Sequence, residues 1–253
     1  MAARGKEPET EAKFLREYQP GDYPRPSVTV DLVILTVVDK LVRVLLVKRS
    51  EHPFKARWAL PGGFVRVGPS REEQGEDLEE AARRELEEET GLARETAGRI
   101  HLAQVGAFGA PNRDPRMRVI SVAYVALVRP ELVPLVRAGG DVSHARWFAL
   151  EELPPEGHPL AFDHAKILDQ ALAHVRADLD RTPIAFELVH DTFTIQELRG
   201  VHEALRGETL DPGNFRKKFL RMLEDGVIEA ARGKRPTASK PASVYRFVTE
   251  RAV

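Results

Sequence analysis

The chain has no cysteine. Disulfide staples and thiolate metal sites are therefore excluded, and a reducing cytoplasm is the expected setting. No apolar run approaches the roughly 20 residues needed to cross a bilayer, so no membrane association is expected. The N-terminus, MAARGKEPETEAKF, lacks the apolar segment of a secretory leader and reads as a polar tail. Nor is there an excess of charge of one sign: 38 Lys and Arg stand against 39 Asp and Glu, a formal net charge of −1. Taken whole, the molecule is neither a polyanion binder nor an acidic tail protein. Internal repeats and long low-complexity tracts are also missing. What remains is a 253-residue chain with room for one large domain or two modest ones, and for a substantial core.

The densest acidic stretch organises the first half. Residues 62–92 read GGFVRVGPSREEQGEDLEEAARRELEEETGL. Their second part predicts a helix from Asp77 through Glu89, with Asp77 capping its start, acidic residues in its first turn and Gly91 stopping it. Leu78, Ala81, Ala82 and Leu86 form one stripe that faces the core. Glu85 and Glu89 fall inside that stripe and Glu88 on its edge, whereas Glu79, Glu80, Glu87, Arg83 and Arg84 point away. Two carboxylates one turn apart on a buried stripe repel and desolvate each other unless a cation sits between them. Oxygen ligands of this kind suit a hard ion, Mg²⁺ or Mn²⁺. The plainer alternative, a solvated acidic face, accounts for Glu79, Glu80 and Glu87 but not for Glu85 and Glu89.

Around this helix the pattern is a mixture of strands and helices. VTVDLVILTVV (28–38) and LVRVLLVK (41–48) flank Asp39-Lys40 as a hairpin, preceded by the Pro-rich extended lead-in YQPGDYPRPS. Further strands are expected at 101–108, 118–128 and 144–150. Asp163 then opens a helix carrying Ile167, Leu168, Ala171, Leu172, Val175 and Leu179 on one face. The loop GAPNRDPRMR supplies Arg113, Asp114 and Arg116, and guanidiniums suit bidentate capture of phosphates. An ordinary solvated polar loop explains those residues equally well. Trp58 and Phe108 could stack on a base or belong to the core. None of the eight histidines has partners at ligand spacing.

Arg181-Thr182-Pro183 marks a break, and a different pattern follows. Thr194-Ile195-Gln196-Glu197 is a capping box that opens a helix bearing Leu198, Val201, His202 and Leu205, ended by Gly207. Asp211-Pro212 begins a second helix with Phe215, Phe219, Met222 and Leu223 on its buried face. Asn214, Lys217, Lys218 and Arg221 gather on its other face, with Arg216 beside them. Two helices joined by a short Gly-containing turn form a helix-turn-helix pattern. Strands at 227–230 and 244–248 around the basic loop ARGKRPTASKPAS complete a winged helix. From Pro212 to Arg246 nine Lys or Arg face three Asp or Glu, a local asymmetry expected of phosphate binding. Asn214, Lys217 and Arg221 are placed to reach base edges, and Arg232, Lys234, Arg235 and Lys240 to hold the DNA backbone. Winged helices also serve as protein-interaction modules, with such charges merely solvated.

Two resemblances sharpen this reading. Arg84-Glu85-Leu86-Glu87-Glu88-Glu89-Thr90-Gly91-Leu92 is similar to the core of the Nudix box, R-E-U-x-E-E-x-G-U with U apolar, and LPGGFV looks like the loop leading into it. The resemblance implies that Glu85, Glu88 and Glu89 hold divalent metal against a pyrophosphate, that Arg84 braces the loop as a fourth catalytic residue, and that Gly62, Gly63, Arg113, Asp114 and Arg116 line the ligand site. Glu76 stands at the box's first glutamate, but PSREEQG (69–75) lengthens the spacing from Gly63 like an insertion, and Arg66 sits where many such loops carry glutamate. With NFRKKFL and KPASVYRF in the second half, the whole chain resembles the Nudix-related transcriptional regulators of NAD metabolism, the NrtR family. That implies a Nudix α/β/α sandwich over residues 23–180 behind a tail and lead-in arm (1–22), then a small winged helix-turn-helix domain over 184–250. It further implies a homodimer that senses ADP-ribose or a related nucleotide and represses genes of NAD synthesis and salvage from operator DNA. The alternative is an active Nudix hydrolase, an ADP-ribose pyrophosphatase, with an accessory winged helix.

Overall fold

The computed structural model describes residues 10–70, 73–136, 144–237 and 240–248. Parts of three expected features lie outside these: most of the polar tail, residues 71–72 of the insertion and residues 238–239 of the wing loop. The centre is a seven-stranded sheet built on β1 (Ser27–Val38) and β2 (Leu41–Lys48). Asp39 and Lys40 both take left-handed φ, 54° and 63°, the turn that lets two strands reverse over two residues without splaying. β3 (Trp58–Ala59) pairs with β2, β4 (Gly62–Phe64) with β1, and β5 (His101–Phe108) with β6 (Val119–Leu127). β6 runs parallel to β1 along its length, and β7 (Ala145–Ala149) closes on β2.

β1 is apolar almost throughout because both of its faces are buried. Leu32 and Ile34 join one core with Ala81, Ala82 and Leu86 of α2 (Leu78–Thr90), while short α3 (Arg94–Gly98) adds Ala97. Val33, Leu35 and Val37 join the opposite core with Ile167, Leu168, Ala171, Leu172 and Val175 of α4 (His164–Asp178). Helices on both faces of the sheet make the expected sandwich. In the arm, the lead-in YQPGDYPRPS (18–27) holds a single 3₁₀ turn at Pro20–Asp22, and the short helix α1 (Glu11–Glu17) lies ahead of it, starting within the polar tail. Phe14, Leu15, Tyr18 and Tyr23 of this arm are exposed.

The C-terminal head contains α5 (Ile195–Arg206), α6 (Pro212–Glu224), and a two-stranded wing of β8 (Ile228–Arg235) and β9 (Ala242–Phe247). The Thr194–Glu197 capping box forms, and Asp211 caps α6 through the Asn214 amide with Pro212 at the first position. Residues 181–183 at the break are exposed, but the core is not divided there. Pro183–Leu188 is a 3₁₀ segment whose Ile184, Ala185, Phe186 and Leu188 are buried, and the α4-side core runs on continuously into Leu198, Val201, Phe215, Phe219 and Ile228. The wing strands are longer than their pattern suggested. A register shift between Ala230 and Lys234 extends β8 to Arg235, so Arg232, Lys234 and Arg235 lie on a strand instead of in the loop.

Candidate metal centre and nucleic-acid interface

α2 begins with a full capping box, Asp77 accepting from the Glu80 amide at 2.8 Å and Glu80 accepting from the Asp77 amide at 3.1 Å. It ends on Gly91 in the left-handed conformation. Ahead of it, the apparent insertion is pinched off at its base. Val67 bridges Gly75, the Gly68 amide donates to the Gln74 carbonyl at 2.8 Å, and the Glu76 amide donates to the Arg66 carbonyl at 3.1 Å. A side chain on Gly68 would sit 1.8 Å from the Glu73 carbonyl oxygen, so only glycine permits that neck. Passing directly from Gly68 to Glu76 leaves five residues between Gly63 and Glu76. The box spacing disturbed in the sequence is thus restored in space. Gly63 has a similar role over α2, where an added Cβ would lie 2.2 Å from Glu85 Oε1.

Arg84 is the hub. Helical register alone turned it away from the core stripe, yet its long side chain reaches back and is only 16 % exposed. Its Nη2 donates to Glu76 Oε1 at 2.6 Å and its Nε to Glu76 Oε2 at 2.9 Å. Nη1 reaches Glu85 Oε1 at 2.6 Å and Glu88 Oε2 at 3.1 Å, and Nη2 also donates to the Phe64 carbonyl at 3.2 Å. Arg66 meets the other Glu88 oxygen at 2.9 Å. The Arg84 hydrogen bonds hold Glu76 down to about 2. Burial instead pushes Glu85 up. Burial, with Glu85 and Glu88 adding repulsion, pushes Glu89 up to about 7. Glu89 Oε2 is buried with no hydrogen-bond partner. Glu87, expected outside, is half-buried. Among the described residues no three acidic or histidine side chains are grouped so as to hold a metal ion; Glu85 pairs with Arg84 and Glu88 with Arg66 and Arg84 instead. The all-oxygen donor set and the orphaned Glu89 oxygen nonetheless fit a hard divalent cation.

The 109–116 loop splits in two. Arg113 is turned inward, its side chain 4 % exposed, with Nη2 at 2.6 Å from Asp163 Oδ1 and 3.1 Å from Asp31 Oδ2. Asp163 therefore spends its carboxylate on Arg113 and makes no cap hydrogen bond to α4. Ser121 Oγ donates to Asp31 Oδ2 at 2.5 Å. His164 Nδ1 accepts from the Leu60 amide at 2.8 Å, and burial lowers its pKa, so the ring is neutral. Asp114 is buried too, accepting the Arg116 amide at 2.9 Å and Arg116 Nη2 at 2.8 Å. Arg116 is partly exposed, 5.7 Å from the exposed Phe64 ring. Sequence reasoning passed over Asp31 and His164. Asp31 left a signal, a lone charge inside an otherwise apolar strand. Trp58 is core, packed edge-on against Phe148 at 4.8 Å.

On the head, Asn214, Arg216, Lys217 and Arg221 of α6 are exposed, as are Arg232, Lys234 and Lys240 around the wing. Two expected DNA contacts are committed elsewhere. Lys218 Nζ pairs with Asp180 Oδ1 at 2.9 Å, and Arg235 with Glu197 Oε1 at 2.9 Å and the Thr192 carbonyl at 2.7 Å. Both lie toward α5 and the first domain, positions that sequence order could not place.

A partly buried carboxylate cluster on α2 and a basic winged helix, packed on one core, define a nucleotide-site domain joined to a DNA-binding head. The NUDIX domain model matches residues 26–171 and the NrtR DNA-binding winged helix domain model residues 185–247. The chain belongs to the Nudix family, and within it to the NrtR group that carries this winged helix. It is 35 % identical over 241 residues to the ADPR responsive transcriptional repressor NtrR of Acinetobacter baylyi, covering 95 % of this chain and 90 % of that one. The crystal structure of Shewanella oneidensis NrtR with a 27mer DNA superposes with a TM-score of 0.71 at 30 % identity, covering 87 % and 93 %. The NUDIX domain of that protein complexed with ADP ribose gives 0.53 at 32 %, covering 66 % and 99 %. The ADP-ribose pyrophosphatase of Methanocaldococcus jannaschii is 40 % identical over 147 residues, 58 % of this chain and 73 % of that one. Nudix hydrolases generally use divalent metal ions. Among the described residues no helix is long and apolar enough to cross a membrane.

Proposed function

We propose that this protein is a transcriptional repressor whose Nudix domain binds ADP-ribose or a close relative and whose winged helix holds operator DNA of genes for NAD synthesis and salvage. The observation that carries this reading is the pairing of the Glu76–Glu89 carboxylate cluster with an exposed basic face on α6 and the wing. Asn214, Lys217 and Arg221 read base edges in the major groove, and Arg216, Arg232, Lys234 and Lys240 hold phosphates. In the cluster, Glu85, Glu88 and Glu89 hold Mg²⁺ or Mn²⁺, which supplies positive charge to bind a pyrophosphate. Arg84 keeps Glu76 and the 62–64 turn in place, Gly63 lets the backbone pass close over Glu85 and Gly62 lets it pass close to Val30 and Asp31 of β1, and Arg116 with Phe64 offers a cation and an aromatic face at the rim. Arg113 and Asp114, buried and ion-paired, support the loop from within.

Two half-sites about 34–36 Å apart need two heads, so the working unit is a homodimer. The exposed aromatic arm of residues 14–23 is the segment that joins the copies. The deciding experiment is a gel shift on a duplex that the protein itself enriches from random sequence, with ADP-ribose added stepwise. Release of DNA is expected; nucleotide binding with DNA affinity unmoved would overturn the reading. A second activity rests on the restored Gly63–Glu76 spacing and the full carboxylate set: hydrolysis of ADP-ribose at its pyrophosphate to AMP and ribose 5-phosphate. Product analysis with Mn²⁺ tests it, and binding without turnover would leave a sensor alone.

A further inference from the structure

The two ends of helix α4 touch different machinery. Its N-terminal end grips both loops beside the carboxylate cluster. Asp163 pairs with Arg113 of the 109–116 loop, and His164 accepts the amide of Leu60, two residues before Gly62. These side chains are 15 % and 5 % exposed, so a shift of either loop is not absorbed by solvent. Past its other end, about 22 Å away for a helix of 15 residues, Asp180 accepts from Arg206 at the end of α5 and, at 2.9 Å, from Lys218 on α6. One turn earlier, Arg176 Nε donates to the Leu205 carbonyl at 2.7 Å. Between the ends Ile167, Leu168, Ala171, Leu172 and Val175 are packed in the shared core, and close-packed interiors transmit strain.

We infer that α4 carries the signal from the nucleotide site to the DNA-binding head, and that Asp180 is the positioning residue that ties α6 to it. This deepens the repressor reading and rests on it. Movement of the Arg113 and Leu60 loops on ligand binding tilts α4, and Asp180 draws Lys218, and with it the basic face of α6, out of register with the groove. Asp180 is half exposed, so its ion pairs add little to stability. Their effect lies in geometry, by making the head follow the rod.

Coupling is measured as the ratio of operator affinities without and with saturating ADP-ribose, by fluorescence anisotropy on the self-selected duplex. Full-length wild type, Asp180→Asn and Glu208→Gln are compared. Glu208 pairs with Arg206 but does not touch Asp180 or α6. Asp180→Asn is expected to cut the ratio by about fivefold or more, toward one. Its ADP-ribose affinity by calorimetry and its unfolding midpoint stay at wild-type values, and Glu208→Gln keeps the wild-type ratio. Undiminished coupling in Asp180→Asn overturns the inference and leaves the repressor reading standing, as does equal loss in Glu208→Gln. A wild-type ratio of one overturns the repressor reading itself, and the inference with it.

Discussion

The carboxylate cluster and the basic head are both dense in charge, and they treat it in opposite ways. In the cluster, charge is buried and answered within the chain: Arg84 alone holds three glutamates, and Arg113 two aspartates. On the head, Arg216, Lys217, Arg221 and Lys234 stand in solvent. Buried charge without a partner costs several kcal/mol, so the cluster is bound into the fold. Solvated charge costs little, so the head is free to answer to a polyanion. The same residue types therefore serve structure in one region and recognition in the other, and burial decides which.

The largest effect should come from breaking the cluster's compensation. Arg84→Leu leaves Glu76 and Glu85 facing each other without a cation and should cost on the order of 3–5 kcal/mol in denaturant unfolding with chelator present. A loss as small as that of a surface pair would mean the network is a solvated one.

Glu89 sharpens the contrast through pH. Its folded pKa of about 7 lies above the ordinary 4.5. Between those values the folded state keeps a proton that the unfolded chain has lost, so stability falls as pH rises from about 4.5 to about 7. Glu89→Gln removes that slope. With chelator present it should be more stable than wild type above pH 7, by on the order of 1–3 kcal/mol, while binding Mn²⁺ more weakly by calorimetry. An unchanged slope would remove Glu89 as the buried acid.

On the head the expectation reverses. Lys217→Ala and Arg221→Ala should each lose about 1–3 kcal/mol of discrimination between the selected duplex and random DNA, with unfolding midpoints unmoved. A shared loss of stability would make α6 an ordinary core helix. The smallest effect separates neighbours on β8. Lys234→Ala should flatten the salt dependence of DNA binding by about one phosphate contact. Arg235→Ala, tied to Glu197 and the Thr192 carbonyl, should lower the melting temperature of the head and leave the salt slope alone. The reverse result would place Arg235 on DNA.

Much of this was legible along the chain because it depends on local spacing. The 3.6-residue period put Glu85 and Glu89 on the buried stripe. The capping signals at Asp77, Thr194 and Asp211 set three helix starts, and Asp39-Lys40 set the hairpin, since each is decided by atoms within about four residues. Two capped helices around a Gly-containing turn picked out the head, and local charge density its basic face. What the sequence by itself could not determine involves partners far apart in it. Lys218 meets Asp180 across 38 residues, Arg113 meets Asp31 across 82, and His164 meets Leu60 across 104. The 69–75 excursion was a spacing error on paper and a closed neck in space. Period and capping are properties of a single segment. Which charges are answered from within and which are left for a ligand is fixed only when the sheet and helices bring distant segments together, because that packing excludes water from some of them and not from others.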